Sequence, residues 1–189
     1  MTDLTMRDPA AAGSFEPRPS ALARPDRSPA QQAVAATIFA VATIAIAVGG
    51  SLVNSAGMDW YDSLEQPPIA PPGPTFGIVW TILYVMIAVS GWLAWRASTR
   101  TAPTVTWAVQ MATWAVQMAL NLLWTAVFFG LESIGGGLIV ITLLFVAIIV
   151  SALVAAQVSR RAALLLVPYI AWVGFATALN AAYAFENFS

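Results

Sequence analysis

The chain contains no cysteine and no histidine. Without cysteine it can form neither disulfides nor zinc–thiolate sites. Because cysteine and histidine are also the commonest ligands of haem iron and transition metals, the sequence predicts no metal site and no cofactor. A catalytic triad and acid–base catalysis by histidine are excluded as well.

Charged residues are scarce. They make up 9% of the chain, against 59% hydrophobic residues, and the mean hydropathy is +0.77. In an average soluble domain about a quarter of the residues are charged. The net charge of −1 gives no electrostatic basis for nucleic-acid binding. The composition therefore indicates a protein that lies mostly within the lipid bilayer.

The few charges leave five long charge-free windows, at residues 28–58, 66–95, 101–131, 133–159 and 162–185. Each window exceeds the roughly 20 residues that an α-helix needs to cross a bilayer. The sequence predicts an all-α integral membrane protein, a bundle of five transmembrane helices forming one domain at 32–187. The predicted helices cover about 32–53, 76–97, 103–129, 134–158 and 163–185, after a disordered tail at 1–31.

The arginines indicate how the bundle is oriented. All eight lie in the N-terminal tail or in the second and fourth connections. The charged residues of the first and third connections and of the C-terminal end are all acidic. Connections rich in arginine stay in the cytoplasm. We therefore expect the N-terminus inside and the C-terminus outside, in a bacterial cytoplasmic (inner) membrane.

The third predicted helix carries a stripe of amides and aromatic rings. Its members follow one another at steps of three or four, which places them on one helix face. They are Gln110, Trp114, Gln117, Asn121, Trp124 and Phe128. Such a face must turn away from lipid, either to pack against other helices or to line a cavity. A single amide in a membrane helix most often joins two helices.

Two other predicted helices have comparable faces. The second carries Phe76, Trp80 and Tyr84, and the fifth carries Tyr169, Trp172, Ala176, Asn180 and Tyr183. Indole and phenol rings suit a planar, mostly apolar ligand. The first and fourth helices lack such a face, and Ile148 of the fourth is expected to face lipid. No charge lies within a span, which disfavours ion-coupled transport.

The first connection contains five prolines between residues 67 and 74. Proline favours a stiff, extended chain, so this segment is not predicted to be helical. With Trp60 and Tyr61 it is interpreted either as an aromatic anchor at the membrane interface or as a lid at 55–75 over the bundle. Composition favours neither. The lid residues would be Pro67, Ile69, Pro71 and Pro72.

Three blocks of this sequence resemble the TspO/MBR family of tryptophan-rich sensory proteins and mitochondrial translocator proteins. They read WYDSLEQPPIAPPGPTFGIVWTILY from Trp60, VQMALNLLWTAVFFG from Val116 and PYIAWVGFATALN from Pro168. The resemblance covers about residues 49–187. It implies a five-helix bundle, commonly a homodimer, that binds porphyrins such as protoporphyrin IX and haem, and in some members sterols and synthetic drug-like ligands.

The resemblance also implies where the ligand lies. It places Trp80, Tyr84, Asn121, Trp124, Trp172 and Ala176 in the pocket under the proline-rich lid. The lid and the aromatic faces add Trp60, Gln117, Phe128 and Asn180 as candidates. The chain departs from the family at Gln66-Pro67-Pro68-Ile69, where Lys-Pro-Ser-Trp is frequent. A lid cation and a lid indole are thus missing.

Three functions are compatible with these features. The first is a receptor or transporter for porphyrins and related planar apolar molecules. The second is an enzyme that degrades protoporphyrin with light and oxygen, since tryptophans matching Trp80 and Trp172 are tied to that chemistry in some family members. The third is a membrane interaction protein without a small ligand. The aromatic faces favour the first two. The sequence does not separate these, because the chemistry needs no residue beyond those that bind.

Overall fold

The computed structural model describes residues 27–101 and 104–188, which are helical over most of their length. The helices are α1 (Pro29–Ala56), α2 (Met58–Ser63), α3 (Gly73–Thr101), α4 (Thr104–Thr125), α5 (Ile134–Val158) and α6 (Arg160–Phe188). A π-helical turn, Ala126–Gly130, extends α4. In the described chain all helices except α2 are long and apolar enough to cross a bilayer. The predicted five-helix membrane protein is confirmed.

Three of the spanning helices, α1, α3 and α6, are longer than the sequence predicts. Ser28 caps α1: its hydroxyl accepts from the backbone N–H of Gln31, whose side chain accepts from the N–H of Ser28. Pro29 then occupies the first turn, where its missing N–H costs nothing. Residues 29–31, expected in the tail, are therefore helical, and residues 1–26 lie outside the described chain. At the other end α6 begins at Arg160 and continues through Pro168.

The first connection differs from the uniformly extended segment predicted for 55–75. Residues 58–63, which precede all the prolines, form α2, and only residues 64–72 are irregular. Gly57 separates α1 from α2, and a Cβ atom there would collide with the backbone carbonyl oxygen of Phe129. The connection therefore folds closely against the π-helical turn.

The spanning helices form a ring in which α1 contacts α3, α3 contacts α6, α6 contacts α5, α5 contacts α4 and α4 contacts α1. The aliphatic core lies inside this ring, where Ile87, Ile141 and Ile148 are fully buried. The expectation that Ile148 faces lipid is thus wrong. α5 is apolar on every side, so hydrophobicity alone does not distinguish its inner face from its lipid face.

The described charged residues separate towards the two ends of the bundle. At the arginine end, the guanidinium of Arg27 lies 3.1 Å from the ring centroid of Trp95. Ser90 Oγ there donates to the carbonyl oxygen of Ala162 at 2.8 Å, which joins α3 to the start of α6. The arginines at this end whose side chains the structure describes are Arg27, Arg96, Arg160 and Arg161. The opposite, acidic end carries Asp59, Asp62, Glu65, Glu132 and Glu186.

Candidate functional site

A cavity of about 320 Å³ lies towards the acidic end, enclosed by α1, α2, α3, α6 and the end of α4. Its lining residues are Ala47, Gly50, Ser51, Asn54, Met58, Tyr61, Gly73, Phe76, Gly77, Trp80, Thr81, Tyr84, Trp124, Thr125, Phe128, Phe129, Ala176, Leu179, Asn180 and Tyr183. Most of the wall is apolar, with a few hydroxyls and amides. This composition is typical of small-molecule sites.

Three of the aromatic rings that line the cavity form a stacked array. Trp80 and Trp124 are stacked with their centroids 6.4 Å apart and their planes 26° apart. Trp124 and Phe128 are stacked at 5.7 Å and 25°. Tyr84 continues the array 5.5 Å from Trp80. A planar ligand can extend such an array by stacking on one of its terminal rings.

Hydrogen bonds to two asparagines hold two of the cavity's rings in place. Tyr84 Oη donates to Asn121 Oδ1 at 2.8 Å, and Asn121 Nδ2 donates to Tyr169 Oη at 3.0 Å. Asn121 is almost fully buried, and through these two hydrogen bonds it joins α3, α4 and α6. Asn180 Oδ1 accepts from Trp124 Nε1 at 3.4 Å, and Asn180 Nδ2 donates to the carbonyl oxygen of Ile134 at 3.0 Å. The two asparagines therefore position Tyr84 and Trp124.

The first connection covers the cavity through α2. The hydroxyl of Tyr183 is hydrogen-bonded to Tyr61 Oη and to Gln66 Oε1. Asn187 anchors the same segment, because its Oδ1 accepts from the N–H of Glu65 at 3.0 Å and its Nδ2 donates to the Glu65 carbonyl oxygen at 3.2 Å. Burial raises the pKa of Tyr61, and the charge of Asp62 adds to that effect. The Tyr61 hydroxyl therefore stays protonated.

The candidate residues do not all meet in this cavity. Trp80, Tyr84, Trp124, Phe128, Ala176 and Asn180 line it. Asn121 lies behind the wall, and Trp60 packs edge-on against Phe128 at 5.4 Å. Gln117 is fully buried and has no hydrogen-bond partner for its amide among the described residues. The cavity lining does not include the expected lid residues Pro67, Ile69, Pro71 and Pro72. The neighbouring residues Met58, Tyr61 and Gly73 line the cavity instead.

Trp172 lies elsewhere, at a second, more open cavity of about 390 Å³ between α3 and α6. On α6 the buried face passes through Tyr169, Val173 and Ala176. Trp172 sits beside that face and contacts Phe76 edge to face at 5.7 Å. Because Phe76 lines the first cavity, a ligand there would reach Trp172 through the ring of Phe76.

Sequence reasoning missed two parts of the wall. Ala47, Gly50, Ser51 and Asn54 of α1 line the cavity at helical spacing. Their small size on an otherwise aliphatic helix was the available signal. Phe129 lies outside the regular stripe of the third predicted helix. It reaches the cavity beside Phe128 because a π-helical turn rotates less per residue than an α-helix.

This arrangement can be compared with known proteins. The sequence profile of the TspO/MBR family matches residues 36–185. The chain belongs to the TspO/MBR family. It is 37% identical to protein CrtK of Rhodobacter capsulatus over 150 residues, which cover 76% of this chain and 89% of that one. It is 38% identical to the tryptophan-rich protein TspO of Chlorobaculum tepidum over 144 residues, covering 72% and 85%.

The human translocator protein is also similar, at 34% identity over 133 residues, which cover 70% of this chain and 78% of that one. All three matched regions span most of the related protein's sequence. For this TspO/MBR protein the family assignment therefore applies to the whole helical bundle, including every helix that lines the cavity.

The hydrogen bonds by which Asn121 bridges Tyr84 and Tyr169 can be tested by measuring the stability of the folded protein. We expect Asn121→Leu to lower the free energy of unfolding by about 1–3 kcal/mol, because it leaves the buried hydroxyl of Tyr169 and the part-buried hydroxyl of Tyr84 unpaired. The same change should cost less when Tyr84→Phe has already removed one of those hydroxyls. Thermal unfolding in a non-ionic detergent measures both costs. Equal costs in the two backgrounds would contradict the bridge.

Proposed function

We propose that this membrane protein binds planar, largely apolar ligands of the porphyrin type in the cavity under α2, as a receptor or carrier. The observation that carries the proposal is the stack of Trp80, Trp124 and Phe128 along one cavity wall. A stacked aromatic array favours flat ligands, which can extend the stack, and the hydrogen bonds to Asn121 and Asn180 reduce the cost of ordering it. A membrane interaction protein without a ligand would have no need for such a cavity.

A second candidate function is light-dependent oxidation of a bound porphyrin by dioxygen. The supporting observation is that Trp80 lines the cavity and contacts three further rings, those of Tyr84, Trp124 and Tyr169. Indoles and phenols are the side chains that exchange electrons most readily with an excited or oxidised macrocycle. Trp172, the other catalytic candidate, is separated from the cavity by Phe76, so Trp80 is the better supported of the two.

We further propose that the protein lies in a bacterial cytoplasmic membrane with its arginine end inside. The separation of arginine from acidic residues along the bundle supports this orientation. The cavity and α2 would then lie towards the outer side. The homodimer that the family resemblance implies stays a prediction.

The binding site can be tested with a truncated indole. We expect Trp124→Ala to weaken protoporphyrin binding by about 1–3 kcal/mol, because a stacked aromatic surface is lost. Trp92→Ala removes an indole of the same size at the arginine end and should leave the affinity unchanged. Quenching of the remaining tryptophan fluorescence during titration measures both. Equal losses would show that the cavity is not the binding site.

The photochemical function makes a separate prediction. Trp80→Phe should retain most of the binding, since aromatic area is largely kept, and should lose most of the light-dependent decay of porphyrin absorbance, because phenylalanine is much harder to oxidise. Trp172→Phe is the matched comparison and should have the smaller effect. Illumination with and without oxygen measures the decay. Undiminished decay in Trp80→Phe would exclude an essential role for this indole.

Orientation can be tested because the chain contains no cysteine of its own. A membrane-impermeant maleimide should label Ser63→Cys, on α2, in intact cells. It should label Ser28→Cys, at the start of α1, only after the cells are lysed. The reverse pattern would place the arginine end outside.

A further inference from the structure

The cavity is lined without charge. All its lining residues lie in the described chain, and none of them is arginine, lysine, aspartate or glutamate. A ligand that carries carboxylates would lose water on entering and gain no ion pair from the wall. Transfer of an unpaired carboxylate into such a site is costly.

The surroundings of the cavity are negatively charged. Asp59 and Asp62 are exposed on α2, on either side of the lining residue Tyr61. Glu65 is exposed in the segment that follows α2, and Glu132 is exposed just beyond the π-helical turn. Glu186 follows Tyr183 by less than one turn of α6. Like charges gathered around a low-dielectric opening repel an anion on its approach.

The described arginines are too distant to offset this charge. Arg96 and Trp80 lie on the same helix, and their separation in sequence corresponds to about 24 Å along it. The Debye length in physiological salt is only about 8 Å. A ligand in the cavity therefore interacts electrostatically with the acidic end rather than with the arginine end.

The amide of Gln66 does not compensate at the lid either. Asn54 lines the cavity, and its buried Oδ1 has no hydrogen-bond partner among the described residues. A ligand with a hydrogen-bond donor could pair with this oxygen. Gln66 has no spare donor to give, because its Nε2 donates to the carbonyl oxygens of Tyr61 at 3.2 Å and Leu64 at 3.4 Å. Its Oε1 is hydrogen-bonded to Tyr183. No amide donor is thus left for a carboxylate at the lid.

We propose that the cavity selects planar ligands that carry no carboxylate, neutral or cationic, over ligands of the same shape that carry two. This inference rests on the proposed function and narrows it to a class of ligand. The uncharged wall and the acidic surroundings act in the same direction. A porphyrin whose propionates are esterified fits this class better than free protoporphyrin.

The test compares protoporphyrin IX with its dimethyl ester, which has the same macrocycle but no acid. Tryptophan fluorescence quenching in non-ionic detergent gives both affinities. We expect the ester to bind at least about tenfold tighter, and added salt to weaken that preference by screening the repulsion. Equal affinities would overturn the selectivity and leave the proposed function standing. Binding of neither ligand would overturn the proposed function itself.

Gln66→Lys provides the matching variant. It should tighten binding of the diacid several-fold and leave the ester unchanged, because it adds a cation at the lid. Gln66→Met controls for loss of the hydrogen bond to Tyr183 without adding charge. Gln157→Lys, an exposed position at the far end of α5, makes the same change of charge away from the cavity. Neither control should favour the diacid. An equal response to both lysine variants would contradict a local electrostatic cause.

Discussion

The hydrogen bonds of Asn121 lie between the arginine end of the bundle and the cavity towards its acidic end. Its side chain lies where α3, α4 and α6 come together, and it uses both ends of its amide, one towards Tyr84 and the other towards Tyr169. In a bilayer an unpaired polar group has no water to turn to, so such a bridge restricts the relative positions of its helices. Between Asn121 and the arginine end the bundle is closely packed. Between Asn121 and the acidic end the helices surround the cavity.

Close packing at the arginine end depends on a small residue. A Cβ atom on Gly91 would lie 2.6 Å from Trp114 Nε1 and 2.8 Å from the ring of Phe39. Phe39 and Trp114 in turn pack edge to face at 4.9 Å, and Trp114 Nε1 donates to the carbonyl oxygen of Ile87 at 3.2 Å. These contacts fill the space between α1, α3 and α4. At the acidic end α1 contributes Gly50 and α3 contributes Gly77 to the lining of the cavity, and there the space stays open.

Much of this organisation was predictable from the sequence. Charge-free windows and arginine placement predicted the number of spans, because the cost of burying charge in lipid is large and indifferent to packing detail. Helical spacing predicted that Asn121, Trp124 and Phe128 turn inwards. The errors arose where spacing is not decisive. Ile148 belongs to a helix that is apolar all round, and Trp172 belongs to the right stripe but sits at its edge. Phe129 depends on a π-helical turn, which the sequence pattern does not indicate.

An open cavity in a membrane bundle must resist collapse, and the hydrogen bonds around this one explain how it does. A wall ring that moved inwards to fill the space would break a bond that nothing inside the cavity replaces. Tyr84 would leave Asn121, and Trp124 would leave Asn180. Tyr183 would leave Tyr61 and Gln66. Three of the wall rings, those of Tyr84, Trp124 and Tyr183, are thus held by hydrogen bonds to polar partners. The helices supply the frame, and these hydrogen bonds keep the three rings at the cavity wall.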